Sequence, residues 1–93
     1  MARATARHIL VDTEAQCEQL KTDIAAGLDF AEAARQHSNC PSGAQGGDLG
    51  SFGRGQMVPE FDQAVFTGEV GAVQGPIKTQ FGYHLLEVTS RED

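Results

Sequence analysis

The residues of this chain best suited to proton transfer, nucleophilic attack or metal binding are three histidines and two cysteines. His8 and His84 each sit among aliphatic neighbours, in ARHILV and GYHLLEV. A histidine in such a setting is most often a core residue satisfied by local hydrogen bonds. Two of the three fall mid-strand, however, and the imidazoles sit side by side if the first and last strands are neighbours. Protonating both would place two charges together in a dry site, so each is expected to be held as a neutral tautomer. A rigid, hydrogen-bonded pair of that kind can form the floor of a site. Cys17 falls on a helical apolar stripe and reads as core packing. Cys40 lies in the polar turn Ser38-Asn39-Cys40-Pro41-Ser42-Gly43, where a thiol faces a cleft as readily as it is buried. By residue type alone, His8, Cys40 and His84 also suit a zinc site or a thiol hydrolase with a histidine base. No CxxC or HxxxH spacing supports zinc, and no hydrolase signature is present, so we expect no metal and no cofactor.

A second group is apolar. Met57, Phe61 and Phe81 are large side chains at element ends rather than mid-stripe. Each alone reads as core. Together they describe a pocket of thioether and aromatic surface that suits a compact apolar ring such as proline. Leu49 and Phe52 are expected on its flank.

The elements that must position these residues follow from pattern. Residues 4–11 read as a strand, apolar on both faces and therefore central. Thr13 offers an N-cap for a helix over 14–26, with Cys17, Leu20, Ile24 and Leu28 as its buried stripe and Gly27 as its stop. Asp29 with Glu32 forms a capping-box-like start to a second helix, which puts Phe30, Ala33, Ala34 and His37 on one side. It must end near Asn39, because Cys40 precedes Pro41. Residues 43–55 hold six of the 11 glycines and contain a strand near 48–53. This stretch lacks the Gly-Lys-Ser/Thr ending of a P-loop and the strand–helix frame of a dinucleotide fingerprint. Pro59 starts a short helix over 59–67, apolar at Phe61, Ala64 and Val65, and Gly68 ends it. Strands over 73–78 and 83–90 close the chain as a hairpin around Thr79-Gln80-Phe81-Gly82. The order β-α-α-β-α-β-β predicts an α+β fold, with helices on a small, mostly antiparallel sheet.

Composition bounds the function. A length of 93 residues allows one domain, taken as 1–93, with one small core. Seven basic against 13 acidic residues leave a net charge of −6, and the basic ones are scattered. That argues against nucleic acid as a partner. No run of 18 apolar residues exists for a membrane span, and Met1–Leu10 holds no stretch of signal-peptide length. A monomer in the cytoplasm with both thiols free is the expectation.

The string Ser38-x-Cys40-x-Ser42-x4-Gly47-Asp48-Leu49-Gly50-x-Phe52-x-Arg54-Gly55-Gln56-Met57 resembles the signature of the parvulin peptidyl-prolyl cis/trans isomerases. So do Phe61-x4-Phe66, Gly75-Pro76-x2-Thr79-x2-Gly82-x-His84 and the opening Ala6-Arg7-His8-Ile9-Leu10-Val11. The resemblance covers nearly the whole chain. It implies a four-stranded antiparallel sheet surrounded by helices, a parvulin- or FKBP-like arrangement. It implies catalytic roles for His8, Cys40, Thr79 and His84, and a proline pocket formed by Leu49, Met57, Phe61 and Phe81. The implied activity is isomerisation of X–Pro bonds in unfolded or flexible polypeptides, in aid of folding. Phosphate-directed members carry a basic cluster after the first strand. Here that place is Asp12-Thr13-Glu14, so no preference for phosphoserine-proline is expected. The alternative is a proline-directed binding or chaperone module without turnover.

Overall fold

The computed structural model describes residues 2–92. Its elements are β1 (Arg3–Val11), α1 (Glu14–Ala25), α2 (Phe30–His37), a 3-10 turn η1 (Pro41–Gln45), β2 (Asp48–Gly53), α3 (Pro59–Thr67), β3 (Val73–Thr79) and β4 (Gly82–Glu92). The four strands form one antiparallel sheet in the order β2-β1-β4-β3. The two strands that carry the histidines are therefore the central pair. Both faces of the sheet are covered, which is why both faces of β1 are apolar.

On one face, Ile9, Val11 and Leu85 pack against Cys17, Leu20, Phe30, Ala33 and Ala34 from α1 and α2. On the other, Ala4, Ala6, Leu86 and Val88 pack against Phe61, Val65 and Phe66 of α3. Burial pushes the Cys17 thiol up to about 11, as suits a packing residue. The helix starts match the expected caps. The Thr13 hydroxyl accepts from the Gln16 N–H at 3.2 Å, and the Asp29 carboxylate from the Glu32 N–H at 3.1 Å. Such a cap contributes about 1 kcal/mol. α1 ends at Ala25, two residues before Gly27, which takes φ +122°.

Three expectations need correction. Phe52 does not flank a pocket. It is buried in the α3-side core with its ring edge-on to Phe66, because it pairs with Ala4, whose side chain belongs to that core. His37 is exposed rather than packed on the inner side of α2, since the last turn of that short helix runs past the edge of the core. Leu28 lies beyond the end of α1 and reaches the same cluster from the connecting turn.

β1 and β2 stay paired only as far as Arg7↔Asp48. Beyond that point the edge of β1 is met by other chain. The His8 N–H donates to the Gly47 carbonyl at 2.9 Å, the Leu10 N–H to the Ser38 hydroxyl at 3.1 Å, and the Asn39 N–H to the Leu10 carbonyl at 2.8 Å. Gly47, at φ +85°, lies so close that a Cβ there would overlap the His8 carbonyl oxygen. This close crossing brings residues 38–42 alongside the first histidine.

Candidate active site

In β1, His8 lies opposite Leu86; in β4, His84 lies opposite Leu10. The two histidines are thus diagonal neighbours on the α3 face of the sheet, within side-chain reach. Their Nδ1 atoms are 3.1 Å apart and their rings lie nearly parallel at 16°. Both are buried, at 5% and 3% exposure. Phe61 stands edge-on to both imidazoles, with centroid distances of 5.4 Å to His8 and 4.6 Å to His84.

The pair belongs to a longer row of hydrogen bonds. The Thr79 hydroxyl lies 2.7 Å from His84 Nε2 and accepts from the Phe81 N–H at 3.1 Å. At the other end, His8 Nε2 lies 3.1 Å from the Ser42 hydroxyl, which donates to Cys40 Sγ at 3.3 Å. One set of tautomers satisfies every contact in the row. With the Ser42 hydroxyl donating to sulfur, His8 donates from Nε2 and accepts at Nδ1 in that set. His84 then donates from Nδ1 and accepts the Thr79 proton at Nε2. Every donor in the row points the same way, from the Phe81 amide to the Cys40 sulfur, and each bond polarises the next. Both imidazoles must be neutral for this arrangement to hold. Burial and then the neighbouring His84 push His8 down to about 4, and burial pushes His84 down to about 4. Burial thus favours the expected neutral pair.

Above the histidines opens a cleft of about 370 Å³, with walls that are almost wholly apolar. It brings together the expected pocket residues apart from Phe52. Leu49 enters from β2, Met57 from the β2–α3 connection, Phe61 from α3 and Phe81 from the β3–β4 turn. His8, His84 and Cys40 line the same space, while Thr79 lies behind it, buried against His84. Leu10, Asn39, Pro41 and Val58 complete the lining and were not singled out by sequence reasoning. Ser42 was also missed as a participant, although it stands in the motif string; its hydroxyl is the link between imidazole and thiol. The loop Asp12-Thr13-Glu14 brings no cation to the rim, and the Asp12 carboxylate accepts from Asn39 at 3.1 Å. Among the described residues, no group of three or more His, Cys, Asp or Glu side chains is arranged to hold a metal ion.

Comparison with known proteins agrees with this geometry. The model of the rotamase family, the PPIC-type PPIase domain, matches residues 4–90. The chain is 48% identical over 89 residues to the foldase protein PrsA of Geobacillus sp. (strain WCH70), covering 95% of this chain and 32% of that protein. It thus spans about a third of the length of the curated relatives it matches. Among solved structures, the peptidylprolyl isomerase PrsA of Bacillus anthracis superposes with a TM-score of 0.95 at 35% identity, over 99% of this chain and 43% of that one. NmPin, the parvulin of Nitrosopumilus maritimus, superposes at 0.86 with 32% identity, over 97% of this chain and 98% of that one. An apolar cleft floored by paired histidines, carried on this sheet and matched along nearly its whole length, places the chain in the PPIC-type peptidyl-prolyl isomerase family, the parvulins.

Proposed function

We propose that this domain accelerates cis/trans isomerisation of X–Pro bonds in unfolded or flexible polypeptides, without covalent chemistry. The observation that carries this reading is the placing of the apolar cleft directly over the neutral histidine row. Rotation about an X–Pro amide faces about 18–20 kcal/mol because the planar amide is resonance-stabilised, and no bond need break. In the twisted amide conjugation is lost and the carbonyl is less polar. A dry cleft therefore disfavours the planar form relative to the twisted one.

Each group has a part in that task. Met57, Phe61, Leu49 and Phe81 grip the pyrrolidine while the preceding carbonyl swings. The Phe61 edges fix both imidazoles, so the floor does not reorganise as the amide turns. The Cys40 sulfur receives the Ser42 proton, which leaves the thiol proton free to donate into the cleft. A weak S–H donor there avoids stabilising the more polar planar carbonyl, as a stronger donor would. Lowering the barrier by about 7 kcal/mol corresponds to roughly 10⁵-fold acceleration. The acidic loop after β1 and the uncharged cleft wall support unphosphorylated substrates, and the foldase relatives support flexible polypeptide clients.

Exchange NMR on a panel of X–Pro peptides, each with and without a phosphoserine before proline, tests the reading. We expect acceleration of the unphosphorylated set and weaker action on the phosphorylated set. Binding without acceleration would instead describe a peptide-holding module, and a preference for phosphoserine would contradict the charge argument.

A further inference from the structure

No charged side chain lines the proline cleft; the charges begin at its rim. Val58 forms part of the cleft wall and also part of a second depression of about 250 Å³. Its other lining residues are Pro59, Glu60, Thr79 and Gln80. The two hollows are therefore neighbours across one side chain, and the second abuts the Thr79 that hydrogen-bonds His84. Glu60 is the ionisable group of this second hollow. It is exposed and stands in the first turn of α3, and its carboxylate takes part in no ion pair or hydrogen bond among the described residues. Its backbone is fixed by the helix start, because the Phe61 and Asp62 N–H groups both donate to the Val58 carbonyl. The cleft residue Asn39 is also in contact with an acidic group, donating to the Asp12 carboxylate. No Lys or Arg lines either hollow among the described residues, and the chain carries −6 overall.

We propose that the hollow around Glu60 is a substrate subsite that takes a Lys or Arg side chain flanking the proline. The proposal rests on the isomerase reading and narrows it to basic, unphosphorylated X–Pro segments. A long aliphatic stem lies along Val58 and Pro59 while its cationic head meets the Glu60 carboxylate and the Gln80 amide oxygen. The pairing is solvent-exposed, so its effect is modest and salt-sensitive.

The test uses three peptides that share one X–Pro core and differ in a flanking residue, Lys, Ala or Glu, placed in turn on each side of the proline. Rates come from exchange NMR and affinities from chemical-shift titration. For the favoured side, kcat/KM of the wild type is expected to be about five-fold higher for the Lys than for the Glu peptide at low salt, mainly through KM. At about 0.5 M NaCl the ratio shrinks towards one. Glu60→Gln is expected to collapse the low-salt ratio, and Glu60→Lys to reverse it. Equal kcat/KM for the Lys and Glu peptides at low salt overturns the subsite, as does a ratio unchanged in Glu60→Gln. Should the wild type accelerate none of the peptides, Ala included, the isomerase reading falls. The titrations then decide the subsite: a Lys preference lost in Glu60→Gln keeps it, and its absence removes it.

Discussion

Acidification should stop this domain through its histidine row, and the structure sets where. His8 and His84 are both held down to about 4, against 6.5 for an unperturbed imidazole, and burial is the main cause for each. The unfolded chain therefore takes up protons near pH 6.5 while the folded chain does not. The stability contributed by the neutral pair is complete above pH 6.5 and is lost as pH falls from there towards 4. Taken alone, a shift of this size for one proton corresponds to on the order of 3 kcal/mol. Repulsion across the Nδ1–Nδ1 contact keeps a second proton off the folded row and adds to the loss. We therefore expect the pair to account for at least about 3 kcal/mol between pH 7 and pH 4. Catalysed exchange should stay level from pH 8 to about pH 5 and fall by half near pH 4, where a proton breaks the one-way row. The assay is exchange NMR on an X–Pro peptide across that range, with ¹⁵N shifts of the two imidazoles recorded in His37→Gln so that only their signals remain. Histidine titration and loss of rate centred near pH 6.5 would refute the reasoning. So would an Nδ1–H tautomer at His8 in neutral solution.

Three substitutions examine the remaining parts. Thr79→Val removes the proton donor to His84 Nε2 and the acceptor for the Phe81 N–H; a melting experiment should show a loss of about 1–3 kcal/mol, with turnover down roughly ten-fold. Gly47→Ala places a methyl group onto the His8 carbonyl at a positive φ, so denaturant unfolding should show a loss above about 2 kcal/mol and the imidazole signals should shift. Cys40→Asp keeps a polar group at the mouth of the row but no thiol nucleophile; substantial residual turnover in the peptide assay is expected, and complete loss would favour attack by sulfur.

Much of this arrangement was legible in the residues because local rules and tertiary needs coincide. Thr13 and Asp29 are caps by type and spacing, and both cap. The doubly apolar β1 reads as central because both faces are covered. The histidine pair could be anticipated from two mid-strand imidazoles, since antiparallel neighbours bring alternate residues together on one face. What was not legible depends on register and on crossings. Whether Ser42 or Ser38 meets a histidine is decided by where β2 leaves β1, and no local pattern announces that point. Phe52 and Leu49 have the same apolar character and pack on the same core, yet only Leu49 reaches the cleft, beside the register shift between β1 and β2 that no local pattern announces. Phe81 is 63% exposed, an apolar ring that composition alone would bury. Its place on the cleft rim follows from the two-residue turn between Thr79 and Gly82.

The central claim is that an apolar grip above a neutral imidazole floor turns the X–Pro amide, and the exchange rate at saturating peptide tests it most directly. Phe61 is nearly buried and touches both imidazoles, so Phe61→Ala removes grip and support together at a stability cost of about 3 kcal/mol. Met57→Ala loosens the grip from a partly buried position at smaller risk to folding. The account predicts acceleration near 10⁵-fold for the wild type, a fall of about 100-fold for folded Phe61→Ala, and a smaller fall for Met57→Ala. Wild-type rates in both folded variants would contradict it.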